Sequence, residues 1–82
     1  MKKDVKIHMG NVMEATPIAN LVALANRFDS TVYLEMDTKK VNAKSIMGMM
    51  SLALLDGSEV TIVTEGEDCE QAINEIEEFL AG

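Results

Sequence analysis

The chain has 82 residues, 48% hydrophobic and 26% charged, with a formal net charge of −7. That length suits one domain with a modest core, and that hydrophobic content excludes a disordered chain. The acidic balance argues against nucleic acid as the main partner, because phosphate binding needs a basic face, and a lone cysteine, Cys69, leaves no intrachain disulfide.

Residues 4–9, DVKIHM, alternate Val5, Ile7 and Met9 with Lys6 and His8, which predicts a half-buried strand. The loop that follows ends in Thr16-Pro17, which reads as a helix N-cap plus first helical residue. Ile18, Leu21, Val22, Ala25 and Phe28 then recur with helical spacing, an amphipathic helix of about three turns, closed by residues 26–30. TVYLEMD (31–37) alternates again as a second strand. DTKK turns, and KVNA (40–43) is a third, short strand in a hairpin. Ser45 is a favourable N-cap for the run SIMGMMSLALL, with Gly48 as its weak point. DGS (56–58) turns into a fourth strand, EVTIVTEG. EDCEQAINEIEEFLAG is a third helix, with Cys69, Ala72, Ile73, Ile76 and Leu80 on one face and acids on the other and at its start. The order β-α-β-β-α-β-α, without linker or repeat, predicts one α+β domain over residues 1–82. It would be a four-stranded antiparallel sheet covered by three helices.

No apolar run reaches the ~18 residues of a membrane span, and the first ten residues lack an apolar signal core. A cytoplasmic, soluble monomer or small oligomer is expected. EGEDCE gathers acids but lacks the spacing of a calcium loop or a Cys-His site, so a solvated helix start is expected and no metal. Cys69 is expected to be inert on an inward stripe, and His8 to face solvent. No glycine-rich phosphate loop is present, and no cofactor is expected.

Three features allow two readings each. Glu14 stands beside helix-start N–H groups, as a dipole-friendly surface acid or in a place where another chemistry belongs. Ile46, Met47, Met49, Met50, Leu52, Ala53, Leu54 and Leu55 surround the middle helix, which makes it either deeply buried or a Met-rich contact patch. Ser45 is a plain cap worth about 1 kcal/mol, or a phosphoryl acceptor with Lys40 and Lys44 close in sequence. Pattern alone favours the cap.

KKVNAKSIMGMMSLAL resembles the region around the regulatory serine of HPr, the histidine-containing phosphocarrier of the bacterial sugar phosphotransferase system. LANRFDSTVYLEMDTKKVNAKSIMG is most similar to the branch of that family called catabolite repression HPr, and the element order is the HPr order. The resemblance implies an HPr-like open-faced β-sandwich. It sets residues 12–17 on the family motif Gly-(Ile/Leu)-His-Ala-Arg-Pro, so Glu14 replaces the phosphoacceptor histidine and Thr16 the neighbouring arginine. Catabolite repression HPr has a glutamine in the first place and keeps the arginine. Phosphohistidine transfer needs a neutral imidazole nitrogen as nucleophile, and losing the arginine removes a bidentate phosphate contact.

By the same resemblance, Ser45 is the serine that HPr kinase/phosphorylase modifies. Lys44, Ile46, Met47 and Met50 then form the surface that docks the kinase and the transcriptional regulator of carbon catabolite control. The expectation is a non-catalytic regulatory protein acting by protein–protein contact. The rival readings are a phosphocarrier component of the sugar phosphotransferase system and a diverged HPr-fold binding module. The branch it resembles forms strand-swapped dimers, so monomer and homodimer both remain open.

Overall fold

The structure is a computed structural model that describes residues 1–8, 15–36, 38–50 and 57–81, without the side chains of residues 15–17 and 50. In chain order the elements are β1 (Lys2–Lys6), α1 (Ala15–Ala25), β2 (Thr31–Met36), β3 (Lys39–Asn42), α2 (Ile46–Met50), β4 (Glu59–Glu65) and α3 (Cys69–Ala81). The predicted order is the observed one.

Two boundaries differ for physical reasons. β1 was expected over residues 4–9 but ends at Lys6, because its ladder partner β4 begins at Glu59 and the pair Lys6↔Glu59 is the last rung. The alternation persists beyond it: Ile7 is buried, His8 is exposed, and the Ile7 N–H donates to the Ser58 carbonyl at 2.8 Å. α1 starts at Ala15, so Thr16 lies inside the first turn and is not the flanking cap. Pro17 is tolerated there because first-turn N–H groups have no intrahelical acceptor to lose.

The strands form one antiparallel sheet in the order β1-β4-β2-β3. Val5, Val32, Leu34, Val60 and Ile62 are buried on the face that meets the helices, where Ile18, Leu21, Ala25, Ile73, Ile76 and Leu80 close the core. Most of the predicted stripes of α1 and α3 are buried, but Val22 is only half-buried, Phe28 is buried beyond the end of α1, and Cys69 is half-buried at the first turn of α3. The opposite sheet face is mostly polar around Tyr33 and the buried Val63; there the Thr61 hydroxyl donates to Asp4 at 2.6 Å and Lys40 lies 3.6 Å from Glu35. The edge strands β1 and β3 carry Lys2, Lys3, Lys6, Lys39 and Lys40, and charged edges oppose strand-to-strand aggregation.

The acidic stretch before α3 is more than a solvated helix start. The Asp68 carboxylate reaches back to the corner before β2, where it accepts the N–H of Asp29 at 3.0 Å, the N–H of Ser30 at 2.9 Å and a very short bond from the Ser30 hydroxyl. The Asp68 carbonyl also accepts the Ala72 N–H at 2.9 Å, so one residue opens α3 and clasps the α1–β2 corner. The Ser30 hydroxyl first, then the Asp29 N–H, hold the Asp68 carboxyl below the usual carboxylate range. A lowered folded-state value means that the ionised clasp stabilises the fold above the unfolded carboxylate value, and this is lost as pH falls through the folded one. Asp68→Ala is expected to melt below wild type at about pH 7, with the gap closing toward about pH 2. Thermal melts across that range check it; a constant gap would mean that the charge is not the stabilising element.

Candidate functional site

Ser45 sits at the mouth of α2. Its N–H donates to the Asn42 carbonyl at 3.0 Å, its carbonyl accepts the Met49 N–H at 2.9 Å, and its Oγ accepts the Gly48 N–H at 3.3 Å. That is N-cap geometry, as the sequence predicts. The residue is exposed, so the hydroxyl stands at the rim of the fold.

The two readings of the middle helix divide the residues between them. Met49 is fully buried and joins the core, whereas Met47 is 82% exposed and Ile46 44% exposed. A helix docked on a sheet can hide only one side, so apolar residues all round it leave part outside. Exposed large apolar side chains next to a reachable hydroxyl make a docking surface physically reasonable. Met50 is the last described residue of α2. Residues 51–55, which complete the predicted helix, and residue 56 of the predicted turn lie outside the described residues, as does Glu14. Thr16 is placed only by its backbone, in the first turn of α1.

Lys44 and Lys40 do not converge on Ser45. The Lys44 ammonium donates to the Phe28 carbonyl at 2.7 Å, tying the serine turn to the turn that follows α1. Lys40 sits 4.9 Å over the Tyr33 ring, beside Glu35. Two residues that sequence reasoning passed over hold the turn instead. The Asn42 Oδ1 accepts the Lys44 N–H at 2.8 Å, and the Asn26 Nδ2 donates to the Lys44 carbonyl at 3.1 Å and the Val22 carbonyl at 2.9 Å. The signal for Asn42 was available, since an asparagine two residues ahead of an N–H is a common side-chain-closed turn. The Asn26 bond to Lys44 joins distant parts of the chain and left none.

Among the described residues no group of three His, Cys, Asp or Glu is placed to hold a metal ion, and no helix is long and apolar enough to cross a membrane. The family model for the PTS HPr component phosphorylation site matches residues 1–82. The chain belongs to the HPr family. It is similar to HPr-like protein Crh of Bacillus subtilis strain 168, with 45% identity over 98% of this chain and 94% of the relative. The fold matches a crystal structure of phosphocarrier protein HPr from Bacillus anthracis strain Ames at a TM-score of 0.94, with 45% identity over 98% of this chain and 95% of that one. It also matches the crystal structure of the Bacillus subtilis catabolite repression protein Crh, a domain-swapped dimer, at a TM-score of 0.78, with 47% identity over 93% and 83% of the two chains. The four antiparallel strands and three helices are thus the HPr arrangement that the resemblance implied.

Proposed function

We propose that this HPr-family chain is a non-catalytic regulatory protein of carbon catabolite control, phosphorylated at Ser45 by HPr kinase/phosphorylase and acting through contact with a transcriptional regulator. The observation that carries this reading is an exposed N-cap hydroxyl flanked by the exposed side chains of Ile46 and Met47. The chain supplies only the acceptor: the Ser45 Oγ bonds to phosphorus, its proton leaves to a base on the kinase, and the donor's leaving group departs. The likeness to HPr-like protein Crh and the glutamate at position 14 both favour regulation over phosphate carriage. The new dianion adds to a chain of net charge −7. At physiological salt, with a Debye length of about 8 Å, that repulsion is mostly screened.

Intact-protein mass spectrometry after incubation with HPr kinase and nucleotide is the test. Wild type should gain one phosphoryl group and Ser45→Ala none; equal labelling of the two would refute the site. Incubation with enzyme I and phosphoenolpyruvate should add nothing, and a stoichiometric gain there would favour a phosphocarrier.

A further inference from the structure

The peptide group that leads into Ser45 is bonded at both of its polar atoms. Its carbonyl, on Lys44, accepts from the Asn26 side chain at 3.1 Å, and its N–H, on Ser45, donates to the Asn42 carbonyl at 3.0 Å. The N–H one residue earlier donates to the Asn42 side chain at 2.8 Å. Asn26 is itself anchored, because the same Nδ2 donates to the Val22 carbonyl in the last turn of α1 at 2.9 Å. Two carbonyls facing one amide leave no choice about which end of Asn26 points at them: only the NH2 can serve both. These bonds tie the first turn of α2 to the rest of the fold. That turn takes its position from outside, through α1 on one side and the end of β3 on the other.

We propose that Asn26 and Asn42 are positioning residues for the phosphorylation of Ser45, Asn26 as a hydrogen-bond donor and Asn42 as an acceptor. The inference rests on the phosphorylation reading above. Neither residue touches the phosphoryl group. They hold the backbone from which the Ser45 Oγ projects, so that the hydroxyl meets the donor in line while Ile46 and Met47 engage the kinase. A small misplacement of a reacting oxygen is costly to transfer and nearly invisible to docking. Loss of the clamp therefore lowers kcat and leaves KM for the protein close to wild type.

Two isosteric variants separate positioning from charge. Asn42→Asp keeps the acceptor and adds one negative charge; Asn26→Asp adds the same charge but loses the donor and sets a carboxylate against two carbonyls. Both side chains are exposed, so both variants should fold, which circular dichroism checks. With HPr kinase, Asn26→Asp should lose about tenfold or more in kcat with KM within about threefold, while Asn42→Asp stays within about threefold of wild type in both. Asn42→Ala, which lacks the acceptor, should fall with Asn26→Asp. Equal kcat for the two aspartate variants would overturn the proposal.

Amide hydrogen exchange at Ser45 and Gly48, measured without any kinase, gives the clamp a second readout. It should speed up in Asn26→Asp and not in Asn42→Asp, and equal exchange in the two would overturn the clamp. If the kinase leaves wild type unlabelled, the phosphorylation reading fails and the exchange result alone decides the clamp.

Discussion

Gly66→Ala is expected to destabilise the fold by about 3–5 kcal/mol, combining strained backbone with an overpacked contact. Gly66 has a φ of +139°, a conformation that residues with a Cβ rarely adopt. A Cβ built there would lie 2.5 Å from the Ser30 Oγ, 2.7 Å from the Ser30 Cα and 2.9 Å from the Ser30 Cβ. A side chain can rotate away, but the Cα is main chain, and its neighbouring N–H is held by Asp68. Relief therefore requires moving the corner before β2 or breaking the clasp. Even 3 kcal/mol corresponds to about 12–24 °C in Tm for a domain of this size. Gly57→Ala is the internal control: φ is +88° there, but among the described residues nothing lies within 4 Å of the added carbon. It should lose only about 1–2 kcal/mol, the backbone part alone. Chemical denaturation of both variants measures the difference, and the steric account fails if Gly66→Ala is no worse than Gly57→Ala.

Under the proposed function, Met47→Asp should leave Tm close to wild type and weaken binding of Ser45-phosphorylated protein to a catabolite-control transcriptional regulator by about 30-fold or more. That factor corresponds to a hot-spot loss of about 2 kcal/mol. Met47 is 82% exposed, so the fold buries almost none of it and loses almost nothing with it. A partner that covers Met47 would desolvate a carboxylate in its place, and would do so beside a phosphoserine dianion. Met49, two residues on, shows the opposite behaviour. It is fully buried among the core side chains, and Met49→Ala should lose about 2–5 kcal/mol of stability through the cavity it leaves. Thermal melts and titration of labelled protein with the regulator test the pair together. Unchanged binding by Met47→Asp would remove the patch from the mechanism.

Periodicity carried much of the fold. The stripes Ile18–Leu21–Ala25 and Ala72–Ile73–Ile76–Leu80 and the alternation of Val32 and Leu34 name the core directly, because burial on one side of a helix or strand imprints its period on the sequence. What periodicity could not show is which half of α2 faces in. Met47 and Met49 are the same residue type, and only docking against the sheet separates them. Side-chain bonds between distant segments were equally hidden. Asp68 reads as one acid among several until it is seen holding Ser30, 38 positions away, and Lys44 reads as a partner for phosphate until it is seen on Phe28. The resemblance to HPr points to Ser45 as a phosphoryl acceptor where composition favours a plain cap, and the structure shows the cap geometry. Both readings use the same oxygen, the Ser45 Oγ that accepts the Gly48 N–H.

The strand order also sets a timetable for folding. β2 and β3 are neighbours in sequence and can zip from Met36↔Lys39 outward as soon as both exist. β1 cannot do this, since Lys2 faces Val63 and Val5 faces Val60. During synthesis the first strand made must wait for the last, while the segments between them find their places. Closing so long a loop is slow relative to local pairing. The newborn chain therefore carries an unpaired β1 until β4 emerges, and its three lysines keep that waiting strand soluble.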